Sequence, residues 1–252
     1  MFKPKIKYLT ILIIIISLTI IANTQFYASS GQGITITDAL GRTVKFHEKP
    51  SRIVSLSPTI TEILFYLNLE DYIVGVDSIS INDPYFNISS VLKKRGVVDV
   101  GGYWYTSISI EKIIDLQPDL VIADKGAHLP LLEVFEKYNI TVIYLNGGSS
   151  TGLNDIYRDM ELVASIYGLE NRVLDFINKV EEEFNKYRDL FKQYSNLKVL
   201  IVIDISDNIW VAGRLTYMDE LLSRLGLQNA ARVTGWKPVS IEQIYDWSPD
   251  IV

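Results

Sequence analysis

The chain has 252 residues, with 24 lysines and arginines against 30 aspartates and glutamates, a formal net charge of −6. Its 48% hydrophobic share is ample for packed cores, and the acidic balance argues against nucleic acid as a partner. It contains no cysteine, which excludes disulfides, thiolate metal sites and a lipid anchor on a cysteine.

The chain opens with Lys3, Lys5 and Lys7, then an uncharged run from Tyr8 to Ala22, then a Phe26-Tyr27-Ala28 exit. A basic start and an apolar stretch of this length read as a signal peptide over residues 1–28, or as a membrane anchor if it stays uncleaved. The run falls somewhat short of the ~20 residues of a membrane span. The protein is therefore expected outside the cytoplasm, secreted or anchored to the outer face of the cytoplasmic membrane. The remaining residues carry a net charge of −9.

After a small polar linker, Ile34–Asp38 and Thr43–Phe46 alternate around Gly41 as a hairpin. Arg52–Leu56 reads as a buried strand. A helix from about Ile60 to Leu67 follows, with Thr59 as its cap and Glu62 completing a capping box. Ile73–Val76 is the next strand, and Ser78–Gly102 reads as irregular. Beyond Tyr103-Trp104-Tyr105 come a helix, an apolar strand at Leu120–Ala123, a helix over Leu131–Tyr138 and a strand at Thr141–Leu145. The glycine- and serine-rich Gly147–Gly152 leads into a helix ending near Gly168. From Leu169 to Tyr194, Val173, Phe176, Ile177, Val180, Phe184, Tyr187 and Phe191 recur at three and four, with no glycine or proline between. This is one long helix, a strut between two lobes. A second α/β series begins with a strand over Val199–Ile203, then Ile209–Ala212, then a helix over Met218–Leu225 stopped by Gly226.

One stretch occurs twice. Ser109–Val121 and Ser240–Val252, 131 residues apart, share Ser, Ile, Glu, Ile, Asp, Pro, Asp and Val at matching places. Each copy parses as an N-capping serine, an acid in the first helical turn, an apolar face, a proline stop and an inner strand. That is the repeating step of a parallel α/β sheet. The organisation expected is α/β: residues 29–168 as an N-terminal lobe, 169–195 as a connecting helix and 196–252 as a C-terminal lobe that reads as incomplete.

In order and spacing, Ser57-Pro58-x-x-Thr61-Glu62-Ile63-Leu64, Ile73-Val74-Gly75-Val76, both repeat copies and the long helix resemble the class III substrate-binding proteins of ABC importers. That family delivers cobalamin, ferric siderophores or haem. The resemblance implies two Rossmann-like lobes joined by one long α-helix, ligand in the cleft between them, no catalysis and no cofactor. It implies that Glu111 and Glu242, third in each copy, dock onto arginines of the permease dimer, where a carboxylate at an exposed helix start suits a bidentate contact. It implies aromatic ligand contacts at Tyr105 or its neighbour Trp104, at Trp210 and at Trp236. His128, after a strand end, is a further candidate contact, and Tyr103 and Tyr105 are candidate oxygen ligands for ferric haem.

The residues disfavour two rival readings. A zinc or manganese receptor needs about three histidines and a carboxylate, and the chain has two histidines, His47 and His128. A nucleotide-dependent enzyme would use a phosphate loop; Gly147–Gly152 has the spacing, but Leu153-Asn154 stands where Lys-Ser/Thr is required.

Overall fold

The computed structural model describes residues 33–84 and 87–252. The expected signal peptide or anchor over 1–28 lies outside the described residues. Strands β1 (Ile34–Thr37) and β2 (Thr43–Phe46) form the hairpin. It is fastened by the Asp38 carboxylate, which accepts from Arg42 and from the backbone amide of Tyr144.

Five parallel strands form the N-terminal sheet: β3 (Ile53–Ser55), β4 (Ile73–Val76), β5 (Val98–Asp99), β6 (Leu120–Asp124) and β7 (Val142–Leu145), in the spatial order β5-β4-β3-β6-β7. Strands covered on both faces must be apolar throughout, and β3, β6 and β7 are buried at every residue. On one face Ile53, Ile122 and Ile143 meet the helices Pro58–Tyr66 and Leu153–Tyr167; on the other Val54, Val121 and Tyr144 meet Ile113 and Phe135. The strand order reverses between β3 and β6. Open α/β sheets hold ligands beyond the carboxyl ends of the strands at such a point.

Two local expectations change. Ser57, not Thr59, caps the first helix, because Pro58 takes the first helical position, where its missing N–H costs nothing; the Ser57 hydroxyl accepts from Ile60. The stretch read as irregular holds helices Ser78–Asn82 and Ile88–Lys94 before β5. These are one or two turns long, too short for hydrophobic periodicity to register.

The long helix runs Glu170–Phe191, about 33 Å at 1.5 Å per residue, and tightens into a 3₁₀ turn at Lys192–Tyr194. Its first half packs on the N-terminal lobe: Val173 is buried, and the Phe176 ring meets Tyr66 edge-on at 4.9 Å. Beyond it lie β8 (Lys198–Val199), β9 (Val202–Asp204), β10 (Ile209–Ala212), helix Tyr217–Arg224, β11 (Gln228–Asn229), β12 (Trp236–Val239) and helix Ile241–Trp247. The strand expected across Val199–Ile203 is broken. Up to Leu200 the chain pairs in parallel with β11 and Ile251; after Ile201 it pairs antiparallel with β10. The chain changes partner at Leu200–Ile201, where the strand is interrupted.

The two repeat copies adopt the same structure. Each helix begins at its serine cap and ends in a left-handed residue, Gln117 (φ 46°) or Ser248 (φ 48°), immediately before proline. The aspartate after each proline then holds the start of a strand in its own lobe, β3 or β8: Asp119 accepts from Ser51 and Arg52, and Asp250 accepts from Lys198.

Candidate functional site: the facing loops of the two lobes

The aromatic loop hangs from a closed neck. Gly101 bridges Ile108, and the Gly102 amide donates to the Ser107 carbonyl. Only glycine suits the neck, since Gly101 has φ 120° and a Cβ there would stand 2.0 Å from the Ser107 oxygen. The tip projects two candidate contacts into solvent, Trp104 at 61% exposure and Tyr105 at 42%. Tyr103 folds underneath and donates its hydroxyl to Asp124 at 2.9 Å. Burial, reinforced by the Asp124 charge, pushes the Tyr103 phenol far up, so it stays protonated. Of the two tyrosines considered as oxygen ligands, Tyr103 is therefore engaged inside the fold and Tyr105 is exposed.

His128 is not a ligand contact. Its side chain is fully buried, Nδ1 accepts the Asp124 amide at 3.0 Å, and Nε2 lies 2.6 Å from the Tyr103 carbonyl. With Nδ1 accepting, Nε2 carries the proton and donates, so both nitrogens are used. The imidazole ties the end of β6 to the aromatic loop. Burial lowers its pKa from 6.5, against the opposing Tyr103 carbonyl and the Asp124 and Asp77 carboxylates. The unfolded chain takes up a proton near that value while the folded chain resists it, so the stability His128 provides is complete above pH 6.5 and declines below it. The buried acids Asp77 and Asp159 are raised by burial and act in the opposite sense. Thermal melts of the wild type and His128→Gln across pH 7.5 to 5 (roughly the histidine range) isolate the His128 part: the wild type loses more on acidification. Parallel curves would remove His128 as the source.

Asp124 organises this end of the sheet. One carboxylate oxygen accepts from Gly126 and Ala127; the other accepts from Tyr103 and, at 2.7 Å, from the Gly148 amide. Gly148 is also gripped from the other lobe, where Trp236 Nε1 donates to its carbonyl at 3.0 Å. Tyr217 lies against the Trp236 ring with centroids 5.5 Å apart. The pairing of Trp210 with Pro238 and of Ala212 with Trp236 puts Trp210 and Trp236 on one face of the β10–β12 ribbon. Val211 and Val239 alternate to the other face and into the core of the C-terminal lobe. The two indoles therefore share a surface, the one through which Trp236 reaches Gly148.

Sequence reasoning missed Asp124 and Tyr217. Asp124 had a signal, a carboxylate at the end of an apolar strand run; Tyr217 had none. Two cavities of about 430 and 470 Å³ lie apart from these aromatics, one between the hairpin and helix Leu153–Tyr167, the other between helix Pro58–Tyr66 and Phe176. Glu111 and Glu242 are both exposed in the first turns of their helices. The Ser240 hydroxyl holds the Glu242 carboxyl below its usual range.

Comparison with known proteins decides the family. The periplasmic binding protein profile matches residues 53–252. The chain belongs to the periplasmic binding protein family. It is an extracytoplasmic substrate-binding protein. A relative, the uncharacterized ABC transporter substrate-binding lipoprotein YvrC of Bacillus subtilis strain 168, is 29% identical over 226 residues, covering 87% of this chain and 68% of YvrC. The vitamin B12-binding protein of Vibrio parahaemolyticus is 25% identical over 209 residues, 82% of this chain and 71% of that protein. Among solved structures, the periplasmic haem-binding protein RhuT from Roseiflexus sp. RS-1 superposes with a TM-score of 0.64 at 30% identity, covering 80% of this chain and 75% of RhuT. The siderophore-binding protein BauB gives a TM-score of 0.69 at 21% identity, over 88% of this chain and 77% of BauB, a likeness of fold.

Proposed function

We propose that this periplasmic binding protein is a receptor, not a catalyst, that captures a large metal chelate of the cobalamin, haem or ferric siderophore class and presents it to the permease dimer of an ABC importer. The observation that carries the ligand class is the placement of aromatic side chains on both lobes: Trp104 and Tyr105 at the tip of a braced loop, Trp210 and Trp236 on one face of the opposite ribbon. Flat rings suit a broad chelate with apolar faces. Relatives that bind vitamin B12 and haem support the same class. The metal-receptor alternative is disfavoured by the donors: His128 spends both nitrogens inside the fold, and the chain's other histidine, His47, is exposed on the residue after β2.

Glu111 and Glu242 dock the loaded receptor on the permease, and residues 29–168, 169–195 and 196–252 act as lobe, strut and lobe. The test is titration with cyanocobalamin, haemin and ferrichrome in turn, following tryptophan fluorescence. One of the three is expected to quench saturably at one equivalent per chain, and Trp236→Ala to weaken that binding at least ~10-fold, as for loss of a buried aromatic anchor. No saturable quenching by any of them would overturn the ligand class.

A further inference from the structure

Apart from the Trp236 contact, a second bond crosses from lobe to lobe, and its acceptor is a charged carboxylate. Glu220, on helix Tyr217–Arg224 of the C-terminal lobe, accepts the backbone amide of Leu153 at 2.8 Å. Leu153 is the first residue of the 15-residue helix Leu153–Tyr167 of the N-terminal lobe, and Gly152 before it has no side chain with which to cap the free amides. The carboxylate from the other lobe supplies that cap, where the helix dipole favours negative charge. Gly152 makes room for it, since a Cβ there would stand 2.3 Å from Glu220 Oε2.

One turn further along the same helix, Arg224 binds the long helix. Its guanidinium donates to both oxygens of Glu181 at 2.7 and 3.0 Å, lies 4.7 Å over the Phe184 ring and stands 3.7 Å from Glu220. Helix Tyr217–Arg224 is therefore fixed to the strut by Arg224 and to the opposite lobe by Glu220.

We infer that Glu220 is a positioning residue: a charged hydrogen-bond latch between the lobes, braced by Arg224 and Glu181, that sets the width of the cleft before ligand arrives. The Trp236–Gly148 bond depends on that spacing, because Tyr217 at the start of the same helix packs on Trp236. The latch is a property of the empty protein, so it stands or falls apart from the identity of the ligand.

The chain has no cysteine, so two introduced ones can be spin-labelled without ambiguity. Lys137→Cys and Asp246→Cys place labels at exposed positions on the two lobes. Double electron–electron resonance on the ligand-free protein reads the separation. The latched protein gives one narrow distribution. Glu220→Ala adds a longer component, raising the open-to-closed ratio on the order of 10-fold, the size expected for one charged hydrogen bond. Gly152→Ala, from the other lobe, produces the same component. Salt raised from roughly 0.05 to 1 M shifts the unmutated background in that direction, since the latch is only partly shielded from solvent. Glu220→Gln, which keeps an acceptor oxygen, falls between. Circular dichroism establishes that each variant is folded; should Glu220→Ala not fold, Gly152→Ala and the salt series decide. A distribution unmoved by either variant or by salt would overturn the latch and leave Glu220 a helix cap only.

Discussion

Exchanging Glu111 and Glu242 together for lysine is expected to abolish ligand uptake by cells while leaving ligand affinity within about twofold, as is usual when exposed charges are changed outside a binding site. Both carboxylates are exposed in the first turn of a short helix, held at the same place by the same serine cap, one on each lobe. Two equivalent acids on a two-lobed body suit two equivalent arginines on a permease dimer. Reversal replaces attraction by repulsion at both points. The single variants should each retain partial uptake. If the acids serve only their own helix dipoles, the double variant will be slightly less stable and will transport normally. Uptake in a strain carrying the matching permease, measured beside ligand titration of the purified variant, separates the two outcomes.

The largest loss of stability is expected at Asp124. Its carboxylate satisfies four donors, from Gly126, Ala127, Gly148 and the Tyr103 hydroxyl, at a site 1% exposed. Alanine would leave the buried Ala127 amide without a partner and deprive the Tyr103, Gly126 and Gly148 donors, which water can partly satisfy. A buried donor without a partner costs about 1–3 kcal/mol and the others less, so a net loss of about 2–4 kcal/mol is expected. For a chain of this size that lowers the melting temperature by roughly 4–16 °C. Tryptophan emission should shift as well, because Gly148, which holds Trp236, loses its own support. Tyr103→Phe removes one donor and should cost about 1 kcal/mol. A melt of Asp124→Ala within about 2 °C of the wild type would show that the carboxylate is not the organising group.

The N-terminal sheet and the long helix were legible because burial leaves a simple mark. Leu120–Ala123 and Val142–Leu145 are uninterrupted apolar runs, and Val173, Phe176 and Ile177 keep one helical face. The repeat was legible down to its caps, since serine and proline act locally. Misreadings occurred where one residue carries two possible roles. Thr59 and Ser57 are both capping residues, and Pro58 decides between them. His128 follows a strand end, as a ligand would, yet the chain folds back over it through Tyr103. Trp104, Tyr105 and Trp236 stood out as large aromatics in polar loops. Asp124, Tyr217 and Glu220 did not, because what gives each its role is a partner distant in sequence, and no local pattern announces a contact 67 residues away such as Glu220 with Leu153.

Gly148 is held on both sides, its N–H by Asp124 and its carbonyl by Trp236. The two groups belong to neighbouring peptide units joined at one Cα, so fixing one narrows the positions open to the other. Order in the aromatic loop and contact between the halves are thereby coupled. By reciprocity, whatever free energy the Trp236 contact lends to the ordered loop, the ordered loop lends back to the grip of Trp236. A guest that settles on the tip at Trp104 and orders the loop would thereby also favour closure of the far lobe.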